Sequence, residues 1–351
     1  MLVLVAASCG AASSVPASPA DVRETPSVVP QTADATPKGS VGMETETTGG
    51  TAVAAQTATA AETATAEQTA AASRRFETPT PRPLATRTPG RAATPGPTAT
   101  LEPTTEVSTV TLTIVYDNNA YGSAVSKGLR TSWGFACWVE TGEATVLFDT
   151  GGDGPTLLNN LERLGLDPRT IDVVVLSHAH GDHTGGLDAV LAAGGAPTVY
   201  VPASFPESFK QGLRGRTKLV DVTDGATVAP GIRSTGEVGT SIVEQALVVD
   251  TADGPVVVTG CAHPCVVEMV RRAEVEHDEG IALVLGGFHL GGAGRGRIEG
   301  IVGDLQSLGV KRVAPCHCTG DQARRMFSKA FDDDCIMAGV GWSSEYVLES
   351  E

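Results

Sequence analysis

Residues 171–187 read Ile-Asp-Val-Val-Val-Leu-Ser-His-Ala-His-Gly-Asp-His-Thr-Gly-Gly-Leu. Ile171–Leu176 is an almost continuous apolar run, the pattern of a strand buried on both faces of a covered sheet. Three histidines and an aspartate follow at once, spaced H-x-H-x-D-H, before a helix predicted over 187–193. On extended backbone alternate side chains share one side, so His178 and His180 can reach one ion. Asp182 and His183 fall where the chain turns into helix and can reach a second. Imidazole nitrogens with a carboxylate suit zinc, iron or manganese and do not suit calcium.

Upstream of this segment, Thr109–Tyr116 (TVTLTIVY) alternates polar and apolar residues and reads as a strand. Phe135–Glu140 and Ala144–Asp149 read as a hairpin through Thr141-Gly142-Glu143, and Pro155–Leu164 as a helix stopped by Gly165. Downstream, strands are predicted near 198–201, 218–222, 232–235, 246–250, 255–259, 281–285 and 310–314. Helices are predicted over 264–273, 298–308 and 322–331. Strand-rich segments followed by strand–helix alternation, twice over, imply two sheets covered by helices, an α/β layered sandwich. A single doubly wound sheet would carry a Gly-rich nucleotide loop after its first strand, and here that strand ends in Asp117-Asn118-Asn119.

Other chemistry-bearing residues follow the predicted strand ends. His263 lies in Gly260-Cys261-Ala262-His263-Pro264, and His317 in Pro315-Cys316-His317-Cys318. Both are candidate metal ligands, because strand-to-helix turns converge on one sheet edge. His289, in Gly286-Gly287-Phe288-His289, is either a further catalytic or ligand residue or a packed histidine. Asp149 ends an apolar strand, so its carboxylate needs a partner, and holding a ligand histidine by its second nitrogen is a suitable role. Cys261, Cys265, Cys316 and Cys318 flank the candidate histidines as small buried thiols, a disulfide, or a soft ligand. Gly291–Arg297 precedes a helix. Its backbone N–H groups with Arg295 and Arg297 could hold an anionic substrate group, or the segment is simply a flexible loop.

The composition breaks at residue 108. Of 15 aromatic residues 14 lie beyond it, as do all seven histidines, while 10–108 is mostly Ala, Thr, Pro, Ser and Gly. Such a stretch cannot bury enough apolar surface to offset its ordering entropy, so 10–108 is expected to be a disordered linker and 109–351 the folded domain. The opening apolar run to Ala6-Ala7-Ser8-Cys9 has the form of a lipoprotein leader, residues 1–9, with Cys9 as the lipidation site, although a basic segment before the run is lacking. A linker of this length spans roughly 50–60 Å, which implies an extracytoplasmic domain held to a membrane only through that lipid. A cytoplasmic protein with an apolar start is the alternative. Seven basic and ten acidic residues in 1–108 leave −13 of the −16 net charge on the domain. With no basic cluster longer than Arg271-Arg272 or Arg324-Arg325, nucleic acid is excluded as a partner and a small-molecule substrate is expected.

Together, Asp149, His178–His183, His263 and His317 resemble the motifs of the metallo-β-lactamase-fold superfamily over residues 110–348. Asp117-Asn118, Phe148–Gly151, Gly260-Cys261, Gly286–Leu290 and His317–Gly320 are similar to the branch named for 7,8-dihydropterin-6-methyl-4-(β-D-ribofuranosyl)aminobenzene-5′-phosphate synthase. The resemblance implies a four-layer αββα sandwich. It implies one metal on His178, His180 and His263, and a second on Asp182, His183 and His317, zinc before iron or manganese. It also implies Asp182 as an orienting catalytic residue and Asn118 as a substrate contact. Most members bridge the metals with an aspartate after the strand matching 281–285. Gly286-Gly287-Phe288-His289 stands there instead, so His289 or a water takes that part and the centre holds one or two ions. The implied activity is a hydrolase using a metal-activated hydroxide on a small ester or phosphorylated substrate. A pterin-related transferase and a non-catalytic metal-dependent sensor are the alternatives.

Overall fold

The computed structural model of the protein describes residues 108–273 and 280–349. The expectations for the leader, Cys9 and the linker lie outside the described residues. The chain enters through β1 (Thr109–Tyr116), β2 (Ala136–Thr141) and β3 (Thr145–Phe148), then α1 (Gly154–Leu164) and β4 (Val173–Val175). Two short helices, α2 (Gly181–Thr184) and α3 (Leu187–Ala192), precede β5 (Thr198–Pro202), α4 (Glu207–Leu213) and β6 (Lys218–Val222). The second half runs β7 (Ala226–Ala229), β8 (Ile232–Ser234), β9 (Leu247–Val249), β10 (Val256–Thr259), α5 (Val266–Ala273) and β11 (Leu283–Gly287). It closes with α6 (Arg295–Ser307), β12 (Arg312–Cys316), α7 (Asp321–Phe331) and β13 (Ser343–Val347).

These strands form two sheets, ordered β13-β1-β2-β3-β4-β5-β6 and β12-β11-β10-β9-β8-β7. The period-2 alternation of β1 explains the layering. Val110, Leu112 and Ile114 point between the sheets, packing with Phe148 and Val175 of their own sheet and Val249, Val258 and Leu285 of the other. Val115, Leu147 and Val174 face outward and meet Leu157 and Leu161 of α1 and Val190 of α3. On the far side Val248, Val257 and Val284 pack under α5, α6 and α7 through Met269, Ile301 and Phe327. Each such side chain contributes roughly 1.5–3 kcal/mol relative to exposure. The result is the four-layer αββα sandwich.

Local signals set the helix ends. Asp153 caps α1 by accepting the Thr156 N–H at 2.7 Å, Pro155 occupies its first turn, and Gly165 closes it at φ 75°. Three elements were not foreseen. β13 (SSEYV) is a half-exposed edge strand with no apolar period, ordered by antiparallel pairing to β1. β7 is recruited by its hairpin with β8, and α4 is a seven-residue helix after Pro206.

Strands β3 to β6 run parallel, as do β10 to β12. The turns after β3, β4, β10, β11 and β12 therefore gather at the carboxyl ends of the strands, the usual place for ligands in parallel sheets. Asp149, His289 and His317, all in those turns, adopt left-handed backbone with φ of 58°, 47° and 46°. Non-glycine residues rarely do so, and such strain concentrates at functional sites.

Candidate metal centre

The turns after β4, β10 and β12 bring the predicted histidines together as two adjoining donor groups. His178, His180 and His263 form one; Asp182, His183 and His317 form the other, joined by Cys261. Within each group the donor atoms lie within 4.8 Å of one another.

Four of these histidines are held in the same manner. His183 Nδ1 donates to Asp149 Oδ2 at 2.7 Å. His263 Nδ1 donates to Glu244 Oε1. His317 Nδ1 donates to Asn118 Oδ1 at 3.0 Å. His178 Nδ1 lies 2.9 Å from Ser177 Oγ, whose own proton goes to Asp149 Oδ2 at 2.7 Å, so the ring donates there too. Each imidazole is fixed in the tautomer whose Nε2 carries a lone pair. His178 Nε2 stands 3.1 Å from His180 Nδ1. His317 Nε2 is buried without a hydrogen-bond partner, although Asp182 Oδ2 lies 3.4 Å away. Buried polar atoms are rarely left unpaired. An orphan nitrogen beside a carboxylate and another Nε2 fits a divalent cation, and so does the chemistry of the donor set.

Burial opposes charge on Asp182, but His317 and His183 outweigh it and hold the carboxyl well below the usual range. Burial also disfavours charge on His183, yet Asp149 outweighs it and raises the imidazole above its ordinary value. Glu244, fully buried, accepts from the Ala262 and His263 N–H groups at 2.8 and 2.9 Å; despite burial, His263 and His178 lower its carboxyl to about 2. Glu244 was not foreseen as a site residue. Its signal was an acid abutting the apolar run 246–250, the same signal that marked Asp149.

Burial lowers His178 to about 2. A base depressed in the folded state contributes stability above its unfolded value of 6.5, and that stability is lost as pH falls below it. In metal-free protein His178 should thus remove about 2 kcal/mol between pH 6.5 and pH 5. Urea unfolding of His178→Gln should show a loss over that interval smaller by about this amount; equal losses in both proteins would contradict the assignment.

The other candidate residues take the following places. Asn118 lines the cavity beside the second group, and there its Oδ1 holds the His317 ring while its Nδ2 donates to the His317 carbonyl at 3.3 Å. Arg295 is exposed on α6 and faces Glu299 at 3.6 Å; Arg297 is likewise exposed and close enough to His289 for its charge to oppose protonation of that ring. His289 stands in a third donor cluster, with Cys261 and Cys318. Its exposed ring lies tilted against that of His263, at 4.1 Å between centroids and 44° between planes. Cys261, Cys316 and Cys318 are free thiols, so no disulfide joins the two turns. Nor is there space for a bridging acid on β11. A Cβ on Gly287 would lie 2.3 Å from the Gly260 carbonyl oxygen and 2.7 Å from Cys318 Sγ, and one on Gly286 would lie 2.0 Å from that of Thr259.

Beside the second group opens a cavity of about 250 Å³ lined by Asn118, Trp133, His317, Cys318 and Arg324. Trp133, 58% exposed, lies tilted against the His317 ring at 4.9 Å between centroids. Arg324 is committed to the carbonyls of Pro315 and Ala338, so the cavity gains no free cation from it.

Comparison with known proteins agrees with this fold. A curated 7,8-dihydropterin-6-methyl-4-(beta-D-ribofuranosyl)-aminobenzene-5′-phosphate synthase of Methanocaldococcus jannaschii is 29% identical, across 54% of this chain and 80% of its own. An uncharacterized protein of the same organism is 26% identical, across 62% of this chain and 94% of its own. The crystal structure of Tm1679, described as a metal-dependent hydrolase of the beta-lactamase superfamily, superposes with a TM-score of 0.56 at 26% identity, covering 68% of this chain and 99% of that one. The signature of the metallo-beta-lactamase superfamily matches residues 134–317, the span from the turn before β2 to the last histidine of the site, and the chain belongs to that superfamily.

Proposed function

We propose that the protein is a metal-dependent hydrolase, with zinc as the resident ion, acting on a small ester or phosphorylated substrate. The observation that supports this most is the set of four histidines whose Nδ1 atoms are all tied back, so that their Nε2 atoms face the two adjoining groups. Divalent ions bound there would supply Lewis acidity, activating water near neutral pH and drawing charge from a carbonyl or phosphoryl oxygen. The chain's own residues do the rest. Asp182, kept ionised, can accept and orient a proton of the attacking water. His289 is raised above its ordinary value by its hydrogen bond with Cys318 and is exposed, so it can donate a proton to a leaving group. Trp133 offers an apolar wall beside His317.

The test is metal content by mass spectrometry, followed by turnover of a panel of phosphomonoesters, phosphodiesters and carboxylic esters. Full metal loading with no turnover on any of them would overturn the hydrolase reading. His289→Gln should lower kcat by about 10²-fold with metal content unchanged; loss of metal instead would make His289 a ligand.

The synthase named among the relatives favours a second reading, a transferase joining a dihydropterin to a ribofuranosylaminobenzene phosphate. Consumption of the pterin only when the aryl phosphate is present would establish it. The sensor reading rested on the missing bridging acid, and Cys261 weakens it by standing as a further donor in the second group.

The location is likewise a proposal, resting on the sequence of residues 1–10 and the linker: a lipid on Cys9 holds the domain at a membrane. Among the described residues no helix is long and apolar enough to cross one. Detergent-phase partitioning should move from the detergent to the aqueous phase in Cys9→Ser; an aqueous wild type would refute the anchor.

A further inference from the structure

We propose that Cys261 is a protein ligand, through its thiolate, of the ion held by Asp182, His183 and His317, making that position a mixed nitrogen, oxygen and sulfur site. The inference rests on reading the two donor groups as metal sites and adds to it a specific ligand with a consequence for metal choice.

Three separations carry it. Cys261 Sγ is 3.3 Å from His183 Nε2, His183 Nε2 is 3.6 Å from Asp182 Oδ2, and Asp182 Oδ2 is 3.4 Å from His317 Nε2. Zinc–nitrogen bonds of about 2.0–2.1 Å and zinc–sulfur bonds of about 2.3 Å give tetrahedron edges of about 3.3–3.6 Å. These three separations match the edges of one coordination shell, and all four donor atoms lie within 4.8 Å of one another. The Nε2 of His317, buried and without a hydrogen bond though Asp182 Oδ2 lies 3.4 Å away, leaves a place for an ion among them.

The backbone explains why the donor comes from this turn. Cys261 follows β10 directly, and β10 pairs in parallel with β11. At the corresponding turn of β11, Gly287 is closed to any side chain by the Gly260 carbonyl and Cys318 Sγ, with the Cys261 Cα 3.2 Å from where its Cβ would stand. The turn after β10 thus admits a side chain, the Cys261 thiol, where the end of β11 at Gly287 admits none. Cys318 stands one step further out, near Cys261 and His289, and is not in the group with Asp182 and His317.

A thiolate donor has a chemical consequence. Soft ligands select zinc, cobalt or iron over manganese and magnesium, whereas the three-imidazole group beside it is less selective. The second position should reject manganese that the first accepts.

The experiment is cobalt(II) titration of the metal-free full chain, read by absorption and by bound cobalt per chain. Wild-type protein should bind two equivalents and develop a near-ultraviolet thiolate-to-cobalt charge-transfer band. Cys261→Ser should lose the band and weaken the second equivalent at least tenfold, while Cys318→Ser keeps the band. Cys261→Asp, which supplies an oxygen donor, should recover the second equivalent without the band and guards against misfolding of the serine variant. Two cobalt ions without a band in wild type, or a band that survives in Cys261→Ser, would overturn the proposal and leave the metal-centre reading intact. Failure of wild type to bind any cobalt would overturn both.

Discussion

Replacing His183 with alanine should empty the second donor group and lower turnover by about 10³-fold, because the Lewis acidity lost is several kcal/mol and each 1.36 kcal/mol is tenfold. His183 sits at the centre of the site. Its Nε2 is 3.3 Å from Cys261 Sγ and 3.6 Å from Asp182 Oδ2, and its Nδ1 is 2.7 Å from Asp149 Oδ2. The alanine variant also leaves the buried Asp149 carboxylate with one donor fewer, which should cost about 1–3 kcal/mol of stability. His183→Asn separates the two effects. Its amide can still donate to Asp149 but presents nothing at the Nε2 position. Both variants should bind one metal per chain where the wild type binds two, and only alanine should lose the stability in urea unfolding. Near-normal turnover in either would contradict the placement of His183.

The second large effect is expected at Asp149. Its carboxylate accepts the Ser177 N–H, the Ser177 hydroxyl and the His183 ring, each at 2.7 Å, and is fully buried. Through Ser177 it also fixes the His178 ring, so one carboxylate orients a histidine in each donor group. Asp149→Asn keeps the shape but turns an N–H toward a donor. Loss of such a supporting acid typically costs 10–100-fold in metal affinity, and both ions should weaken, the second more because its histidine is held directly. Asp149→Ala should fare worse. It strands three buried donors at about 1–3 kcal/mol each and places alanine at φ 58°, where aspartate is better tolerated. Competition with a chelator measures the first effect and urea unfolding the second. Unchanged affinity in Asp149→Asn would show that the histidines are held by packing alone.

Much of the site was legible because its densest part is local. His178, His180, Asp182 and His183 lie within six residues, and a strand running into a helix is enough to aim them in two directions. His263 and His317 were legible one step less directly, as histidines just beyond apolar runs. Glu244 was not singled out, and the hold of Asn118 on His317 was not legible. Glu244 meets His263 across 19 residues and Asn118 meets His317 across 199, and a polar residue beside a strand end carries no mark of which distant ring it will hold.

By itself the sequence determined the architecture and the identity of most donors, because hydrophobic period and strand-end position depend on neighbours along the chain. It showed, too, that a bridging acid was missing from the turn after β11. Only the tertiary structure decided what stands in that region. Cys261 and His183 are 78 residues apart and meet at 3.3 Å because the parallel sheets bring the turns after β4 and β10 together. Gly287 is closed by a neighbouring carbonyl and sulfur, contacts that belong to packing between turns rather than to any pattern along the chain.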